Sequence, residues 1–274
     1  MRIAVVLCSF CIVLCAPLAY GSGSGAKISI FSAHIAQAAK ERGVTIYRQA
    51  CDFKEAGYSG VEVFETDKDE SIASLRKAGL EVPVMVAWPS FQDKYNEEWA
   101  TNIIARVIQL KIPKIMLVPG FYTEKGDHEV EFSLIAKRTE RFAQEAKSKG
   151  IVVMVEDFDS ELSPTKNIKL LRRFLDEAPT CRLVFDTGNF DFSGENEIEA
   201  LKVFKDEICH YHLKDIDKVI KRKSVPVGSG KISINHILNS AISEGYDGWF
   251  TVEHFGCPDM AAAAKASIDY LHKK

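Results

Sequence analysis

Four short apolar runs in the second half of the chain decide its fold: Ile151-Val-Val-Met-Val-Glu156, Arg182-Leu-Val-Phe-Asp186, Ile208-Cys-His-Tyr-His212 and Trp249-Phe-Thr-Val-Glu253. Each run ends on a carboxylate or an imidazole. Continuous runs of this length, rich in apolar, β-branched and aromatic residues, are typical of parallel strands buried on both faces. The four runs therefore predict four parallel strands, each with a polar residue at its carboxyl end.

Four similar runs precede them, at Lys27–Phe31, Gly60–Phe64, Val82–Ala87 and Lys114–Val118. Amphipathic stretches separate the eight runs, with helix starts predicted at Ser163-Pro164 and at Ser233. Gly57, Gly79 and Gly150 are placed to end helices shortly before strands. Eight strands alternating with helices over about 250 residues favour an α/β fold of the (β/α)₈ TIM barrel type. The alternative is an open doubly wound sheet, although no GxGxxG follows the first strand.

The first 26 residues differ in character from the predicted barrel. Arg2 precedes an apolar run from Ile3 to Leu14, and Ala19-Tyr20-Gly21 offers a small-x-small cleavage pattern. These features predict a signal peptide over residues 1–21, with an uncleaved anchor or a buried first strand as alternatives. Residues 22–26 then form a flexible lead-in, and residues 27–274 form one domain. The expected location is secreted or periplasmic.

The amino-acid composition argues against several classes of function. The formal net charge of −3 and the seven histidines argue against a nucleic-acid partner, which requires a basic surface. The apolar run at the N-terminus is too short for a stable membrane span. No CxxC occurs after residue 25, so no zinc ribbon or redox motif is expected. Free thiols are expected at Cys51, Cys181, Cys209 and Cys257. The expected partner is a small molecule. The composition does not decide whether the protein forms a homo-oligomer.

The polar ends of the last four predicted strands are Glu156, Asp186, His212 and Glu253. The carboxyl ends of barrel strands meet at one mouth, where active sites form. Three carboxylates that close repel one another unless a cation neutralises them. One imidazole with three carboxylates suits one divalent metal ion, with Mn²⁺ expected and Mg²⁺, Co²⁺ or Zn²⁺ as alternatives. The alternative without metal is four unrelated strand ends that hydrogen-bond to loops.

Five motifs occur in order along the same region: Val155-Glu-Asp-Phe158, Phe185-Asp-Thr-Gly-Asn-Phe190, His210-Tyr-His-Leu-Lys-Asp215, Gly228-Ser-Gly-Lys-Ile232 and Trp249-Phe-Thr-Val-Glu-His254. Together with Ala56-Gly-Tyr-Ser-Gly-Val-Glu-Val-Phe64, they resemble the sugar phosphate isomerase/epimerase group, the xylose-isomerase-like TIM barrels. That group includes ketose 3-epimerases, hydroxypyruvate isomerases and inosose dehydratases. The resemblance extends from about Lys27 to the C-terminus.

The resemblance implies that one catalytic metal ion is held by the Glu, Asp, His and Glu of strands five to eight. In this sequence those residues are Glu156, Asp186, His212 and Glu253. His212 rather than His210 matches, because it directly precedes Leu-Lys-Asp. In the epimerase branch, Glu156 and Glu253 are also the catalytic pair that removes and returns a proton.

The implied function is that of a metal-dependent isomerase or epimerase, acting on a sugar or related hydroxy-ketone through a metal-stabilised enediolate. The alternative is a metal-dependent lyase or hydrolase of oxidised (keto) glycosides, or an inosose-type dehydratase. An apurinic endonuclease, from the same fold group, is disfavoured by the negative charge and the few histidines. A catalytically inactive binding protein is disfavoured because all four ligands are present.

Several further residues are candidates for substrate binding or for support of the site. Asn189 lies where epimerases commonly carry a substrate-binding His. Lys214 and Asp215 match the family's Lys-Asp pair and are expected to organise a loop, with Lys214 also a candidate substrate contact. His34 follows the first strand and either faces the mouth or has no site role. Glu62 is expected to satisfy polar groups inside the barrel.

Aromatic residues follow the third and fourth strands. Trp88 and Phe91, and then Phe121 and Tyr122, are expected to form a wall for the apolar faces of a sugar or to pack in the core. Trp88 is the candidate for substrate contact. The basic segment Lys221–Lys223 meets a phosphate or carboxylate of the substrate, or is a solvated loop.

Overall fold

Eight parallel strands close into a barrel in the computed structural model, which describes residues 26–273. The eight barrel strands are β1 Lys27–Phe31, β2 Gly60–Phe64, β3 Val84–Ala87, β4 Lys114–Leu117, β5 Val152–Glu156, β6 Arg182–Asp186, β7 Ile208–Ile216 and β9 Trp249–Glu253; a ninth, short strand, β8 Ser224–Val225, pairs antiparallel with β7. Each strand from β1 to β6 pairs with the next, and β9 pairs with both β7 and β1. The predicted barrel is confirmed, and the open sheet is wrong because β6 pairs with β7 and closes the ring.

Helices follow the barrel strands. They are α1 Ser32–Arg42, α2 Ile46–Ala56, α3 Asp69–Lys77, α4 Glu97–Gln109, α5 His128–Lys147, α6 Ile168–Glu177, α7 Asn189–Phe192, α8 Glu197–Phe204, α9 Ile234–Ser243 and α10 Met260–Leu271. The helix start predicted at Ser163-Pro164 is wrong. The Ser163 hydroxyl instead accepts from the Thr165 backbone N–H in a local turn, and Asn167 caps α6 by accepting from Leu170. The start at Ser233 is confirmed, without a side-chain capping bond.

The seventh strand continues four residues past the predicted end at His212. Ile216 pairs with Ser224 and Asp215 with Val225, so that β8 lies antiparallel to the last part of β7. This extension places Asp215 inside a strand. There its carboxylate accepts backbone N–H bonds from Gly228, Gly230 and Ile232, and from its own neighbour Ile216. The predicted role of Asp215 in organising a loop is therefore confirmed, and it links the Lys-Asp motif to Gly228-Ser-Gly.

Replacing Asp215 by asparagine is expected to lower the free energy of unfolding by about 3 kcal/mol. The asparagine side chain has only one acceptor oxygen, and its NH₂ group would face N–H donors. Thermal unfolding should show a decrease in Tm of about 6–12 °C for a domain of this size. The exposed Asp176→Asn is the control and should stay within about 0.5 kcal/mol of wild type. An equal small effect of both variants would contradict the proposed anchoring.

The core has two parts. The larger lies between the strands and the helices, and a smaller cluster, which includes Phe31, Val86, Met116 and Met154, fills the interior towards the mouth. Within residues 26–273 the four cysteines are unpaired, with Cys181 and Cys257 buried and the other two partly exposed. No helix in this described part is long and apolar enough to cross a membrane. The predicted signal peptide, and residues 22–25 of the lead-in, lie outside the described residues.

Candidate metal-binding and active site

The structure brings the four predicted ligands together. One potential ligand atom from each of Glu156, Asp186, His212 and Glu253 lies within 4.8 Å of the others, and all four residues are buried. Strand register explains this convergence, because Asp186 pairs with His212 across β6 and β7, while Glu156 and Glu253 end their own strands. The distance from His212 Nδ1 is 2.5 Å to Glu156 Oε1 and 3.3 Å to Glu253 Oε2.

The cluster has the properties of a cation site. Asp186 Oδ1 accepts from the backbone N–H groups of Gly188 and Asn189, whereas Asp186 Oδ2 is buried and has no hydrogen-bond partner among the described residues. Burial, reinforced by the nearby Glu253, raises the pKa of Asp186 well above its ordinary value. Burial likewise raises the pKa of Glu156 to about 7. A divalent cation would fill the missing coordination of Asp186 and compensate the carboxylate charges.

A second polar layer lies directly beneath the cluster. His210, His212 and Lys214 alternate along β7 and therefore share its inner face. Glu62 Oε1 is 2.5 Å from His210 Nε2 and 3.2 Å from His212 Nε2, and it also accepts from the Thr251 hydroxyl. Burial alone would raise the pKa of Glu62, but His212 and His210 together lower it well below its ordinary value. Glu62 thus has the structural role predicted for it, and it holds His212 with Nδ1 facing Glu156 and Glu253.

Lys214 places a buried cationic group directly beside the cluster. Its Nζ lies 3.0 Å from Glu253 Oε1, 2.9 Å from Asp159 Oδ2 and 2.8 Å from Asn189 Oδ1. The first contact follows from register, since Lys214 and Glu253 are paired across β7 and β9. Burial would raise the pKa of Glu253, but Lys214, aided by His212, lowers it to about 2. Lys214 therefore keeps Glu253 ionised.

Asn189 supports the site through two hydrogen bonds. Its Nδ2 donates to the Asp157 carbonyl oxygen at 2.6 Å, and its Oδ1 accepts from Lys214. Asp157 Oδ1 in turn accepts from the Asp186 backbone N–H. Asn189 is thus used for support, and it also lines the adjacent cavity.

A cavity of about 360 Å³ opens beside the cluster. Of the residues predicted to contact substrate, Trp88, Asn189 and Lys214 line this cavity. Arg222 also lines it, whereas its neighbours Lys221 and Lys223 are not among the lining residues. Within the basic segment, Arg222 is therefore the residue placed to meet a substrate.

His34 lies behind the cavity wall. It is 1% exposed, its Nε2 accepts from the His254 backbone N–H at 2.8 Å, and its ring packs against Phe31 and Phe255. The structure thus shows His34 tying α1 to the end of β9. Direct contact with substrate stays a prediction.

The free energy of unfolding should depend on pH through His34. Burial, with a contribution from His254, lowers the pKa of His34 from 6.5 to about 3. Below pH 6.5 the unfolded chain therefore binds a proton that the folded chain does not, and stability falls as the pH falls towards about 3. Between pH 7 and pH 5 this contribution is about 2 kcal/mol. Urea unfolding of His34→Gln should show a pH dependence shallower by that amount, whereas the exposed His236→Gln should follow wild type.

The aromatic residues predicted after the third and fourth strands lie in two places, the cavity wall and the core. Trp88 lines the cavity as predicted. The expectation of a cavity wall is wrong for Phe91 and Tyr122, because Phe91 packs against core rings and Tyr122 stacks on His128. Phe121 packs edge-on against Phe158 and is not a lining residue.

Four aromatic lining residues were missed in the sequence: Phe31, Phe64, Phe158 and Phe255. The first two are the last residues of β1 and β2, the same strand position that Glu156, Asp186 and Glu253 occupy. The other two lie two residues after Glu156 and Glu253. Strand ends are therefore the signal that would have found Phe31 and Phe64. Phe158 and Phe255 lie in loops beyond the strands, where strand alternation gives no direction for a side chain.

Comparisons with known proteins agree with this architecture. The family model of the xylose isomerase-like TIM barrel matches residues 50–274. Inosose dehydratase from Clostridium botulinum (strain Alaska E43 / Type E3) is 31% identical over 180 residues, which cover 58% of this chain and 60% of that protein. The chain thus spans less than two thirds of the length of such curated relatives.

Two solved structures share the fold. The 3-keto-D-glucoside 4-epimerase from E. coli has a TM-score of 0.69 at 18% identity, covering 91% of this chain and 100% of that one. D-allulose 3-epimerase from Methylomonas sp., in complex with D-allulose, has a TM-score of 0.70 at 14% identity, covering 92% and 98%. The family match includes β2 to β9 and all four residues of the cluster. The chain therefore belongs to the xylose isomerase-like TIM barrel family.

Proposed function

We propose that the protein is a divalent-metal-dependent isomerase or epimerase acting on a sugar or related hydroxy-ketone. The convergence of Glu156, Asp186, His212 and Glu253 beside an open cavity carries this proposal. These four residues would hold one ion, for which Mn²⁺ is proposed. When bound there, a divalent ion would polarise a substrate carbonyl and stabilise negative charge on its oxygen.

The chain's own residues supply the proton transfers. Glu156 and Glu253 both approach His212 Nδ1 from their separate strands. One of the two, as a carboxylate, removes the proton from the carbon next to the carbonyl, which leaves an enediolate, and the other, as a carboxylic acid, gives its own proton to that carbon or its neighbour. Lys214 orients Glu253 through its bond to Oε1. Isomerisation and epimerisation differ only in the carbon and the face that receive the proton.

A dehydratase or lyase is the second candidate. The curated inosose dehydratases that match this chain favour it, and elimination of a β-hydroxyl begins with the same removal of a proton. A keto-glycoside substrate belongs to the same candidate. The 3-keto-D-glucoside 4-epimerase that shares this fold supports testing keto-glycosides as substrates.

The step that these reactions share can be measured directly. The full chain loaded with Mn²⁺ is incubated in D₂O with ketoses, inososes and keto-glycosides. Deuterium should enter the carbon next to the carbonyl, and NMR of the product then separates epimer, isomer and dehydrated product. Glu253→Gln should slow the exchange by at least about 100-fold, whereas the exposed Glu199→Gln should match wild type. No exchange with any of these substrates would contradict the proposal.

A secreted or periplasmic location is part of the proposal, on the basis of residues 1–21. The measurement is the intact mass of the protein recovered outside the cytoplasm. Loss of residues 1–21 supports export, and a full-length cytoplasmic product contradicts it.

A further inference from the structure

The cavity beside the cluster has two chemically different halves. Its polar residues come from the side of β5 to β9 and include Glu156, Lys214, Arg222 and Ser224. The apolar half consists of six residues in or directly after β1 to β4, together with one residue after β5 and one after β9: Phe31, Phe64, Val86, Trp88, Met116, Val118, Phe158 and Phe255. We call these eight residues the apolar wall. Apart from the indole N–H of Trp88, their side chains offer no hydrogen-bond donor to a ligand.

Aromatic rings make the apolar wall continuous with the metal cluster. The Phe31 ring lies 5.1 Å from the His212 imidazole and 5.7 Å from Phe64, on which it stacks. Phe64 stacks in turn on Trp88 at 5.5 Å, and Phe255 contacts Phe31 from the other side at 5.3 Å. A group attached directly to a sugar held at the cluster therefore reaches an aromatic surface without a linker.

The two ends of this ring series are open to a ligand. Trp88 is 43% exposed and Phe255 is 46% exposed, whereas Phe31 between them is 2% exposed. Exposed faces of large aromatic rings bind planar apolar groups, and also the C–H faces of sugar rings, with little cost in conformational entropy. The hydroxyl groups of a fully hydroxylated open chain would lose their water against this wall and gain no partner.

The polar half contains an unfilled hydrogen-bonding group. The Ser224 hydroxyl is buried, lines the cavity, and has no hydrogen-bond partner among residues 26–273. Arg222 lies nearby in the lining, with its guanidinium 3.6 Å from the centre of the Phe192 ring. A ligand that fills the cavity therefore needs one hydrogen-bonding edge and one apolar face.

We propose that the apolar wall is a binding subsite for an aromatic substituent, and that the substrate is a ring-form sugar derivative carrying an aryl aglycone. This inference rests on the proposed function for the sugar end of the ligand. The sugar occupies the cluster and the polar half, and the aglycone lies against Trp88, at the end of the ring series where Trp88 stacks on Phe64. The substrate is thus an aryl glycoside bearing a ketone rather than an open-chain sugar phosphate.

Binding of matched glycosides tests the subsite without turnover. Isothermal titration of the Mn²⁺-loaded full chain compares phenyl β-D-glucoside with methyl β-D-glucoside. The phenyl compound should bind at least about tenfold more tightly, because stacking and buried apolar area both favour it. Trp88→Ala should remove most of this preference, measured as the ratio of the two affinities, whereas Phe255→Ala, at the other end of the ring series, should retain most of it. Tyr47→Ala, at a partly exposed tyrosine on α2 outside the cavity, should keep the full preference.

The outcomes separate the subsite from the proposed function. Equal affinity for the two glucosides, or a preference that survives Trp88→Ala, would overturn the subsite. Trp88→Leu, which keeps an apolar side chain, should lose the preference as well if ring stacking is responsible. A phenyl preference that depends on Trp88 supports the subsite even where the D₂O exchange assay fails, and that failure counts against the proposed function alone.

Discussion

Replacing Glu156 and Glu253 together by glutamine is expected to abolish stoichiometric binding of a divalent metal ion. Wild-type protein purified without chelator should carry about one equivalent of Mn, Co or Zn, and the double variant should carry almost none. The reason is the loss of two of three carboxylates, which leaves Asp186 and His212 as the remaining donors. Mass spectrometry of the bound metals measures this directly. Catalysis should fall by at least about 10⁴-fold, since both proton-transfer groups are removed.

The matched control is Glu199→Gln, which makes the same chemical change at an exposed position on α8. It should retain the metal content of wild type. Circular dichroism verifies that the double variant is folded, so that metal loss cannot result from unfolding. Absence of metal from wild type, even after incubation with Mn²⁺, would contradict the metal site and leave only the fold.

Replacing Glu62 by glutamine is expected to weaken metal binding by about 10–100-fold without removing a ligand. Glu62 is fully buried and accepts from His212 Nε2, from His210 Nε2 and from the Thr251 hydroxyl. Glutamine keeps the size of the side chain but loses the charge and one acceptor oxygen. The imidazole of His212 is then less firmly held with Nδ1 towards the cluster. The free energy of unfolding should also fall by about 2–3 kcal/mol.

The metal affinity distinguishes a positioning role from a purely structural one. A Kd for Mn²⁺, measured by titration of the chelator-treated protein, should rise for Glu62→Gln and stay constant for Glu199→Gln. Asp215→Asn supplies a second comparison, because it should lower stability without changing the donors around His212. A Glu62→Gln variant that is less stable but binds Mn²⁺ like wild type would show that Glu62 stabilises the fold and does not position His212 for metal binding.

Much of the architecture could be predicted from the sequence because it depends on burial. A strand covered on both faces must be apolar along its length, so the eight strands are visible as eight short runs. The mouth of a barrel is where each strand meets water, and Glu156, Asp186 and Glu253 are the last residues of their strands. His212 was identified as the end of the predicted run Ile208–His212, and the motif around it distinguished it from His210. In the structure it lies mid-strand, because β7 continues to Ile216.

Side chains in loops could not be placed in this way. Phe91 and Tyr122 follow strands just as Trp88 does, yet they turn into the core while Trp88 faces the cavity. The direction of such a side chain depends on the path of its loop, and that path is set by contacts with distant parts of the chain. His34 lies in helix α1 rather than in a loop, but its surroundings also depend on a distant contact, because its hydrogen-bond partner is 220 residues away.

The sequence by itself determined the strands, the barrel class and the four candidate ligands, because periodic burial and strand ends are local properties. Only the tertiary structure decided what surrounds those ligands. The bond between Glu62 and His212 joins residues 150 positions apart, and the aromatic series from Phe255 to Trp88 joins the last barrel strand to the third. Such contacts form only when the sheet closes, since closure brings β9 beside β1.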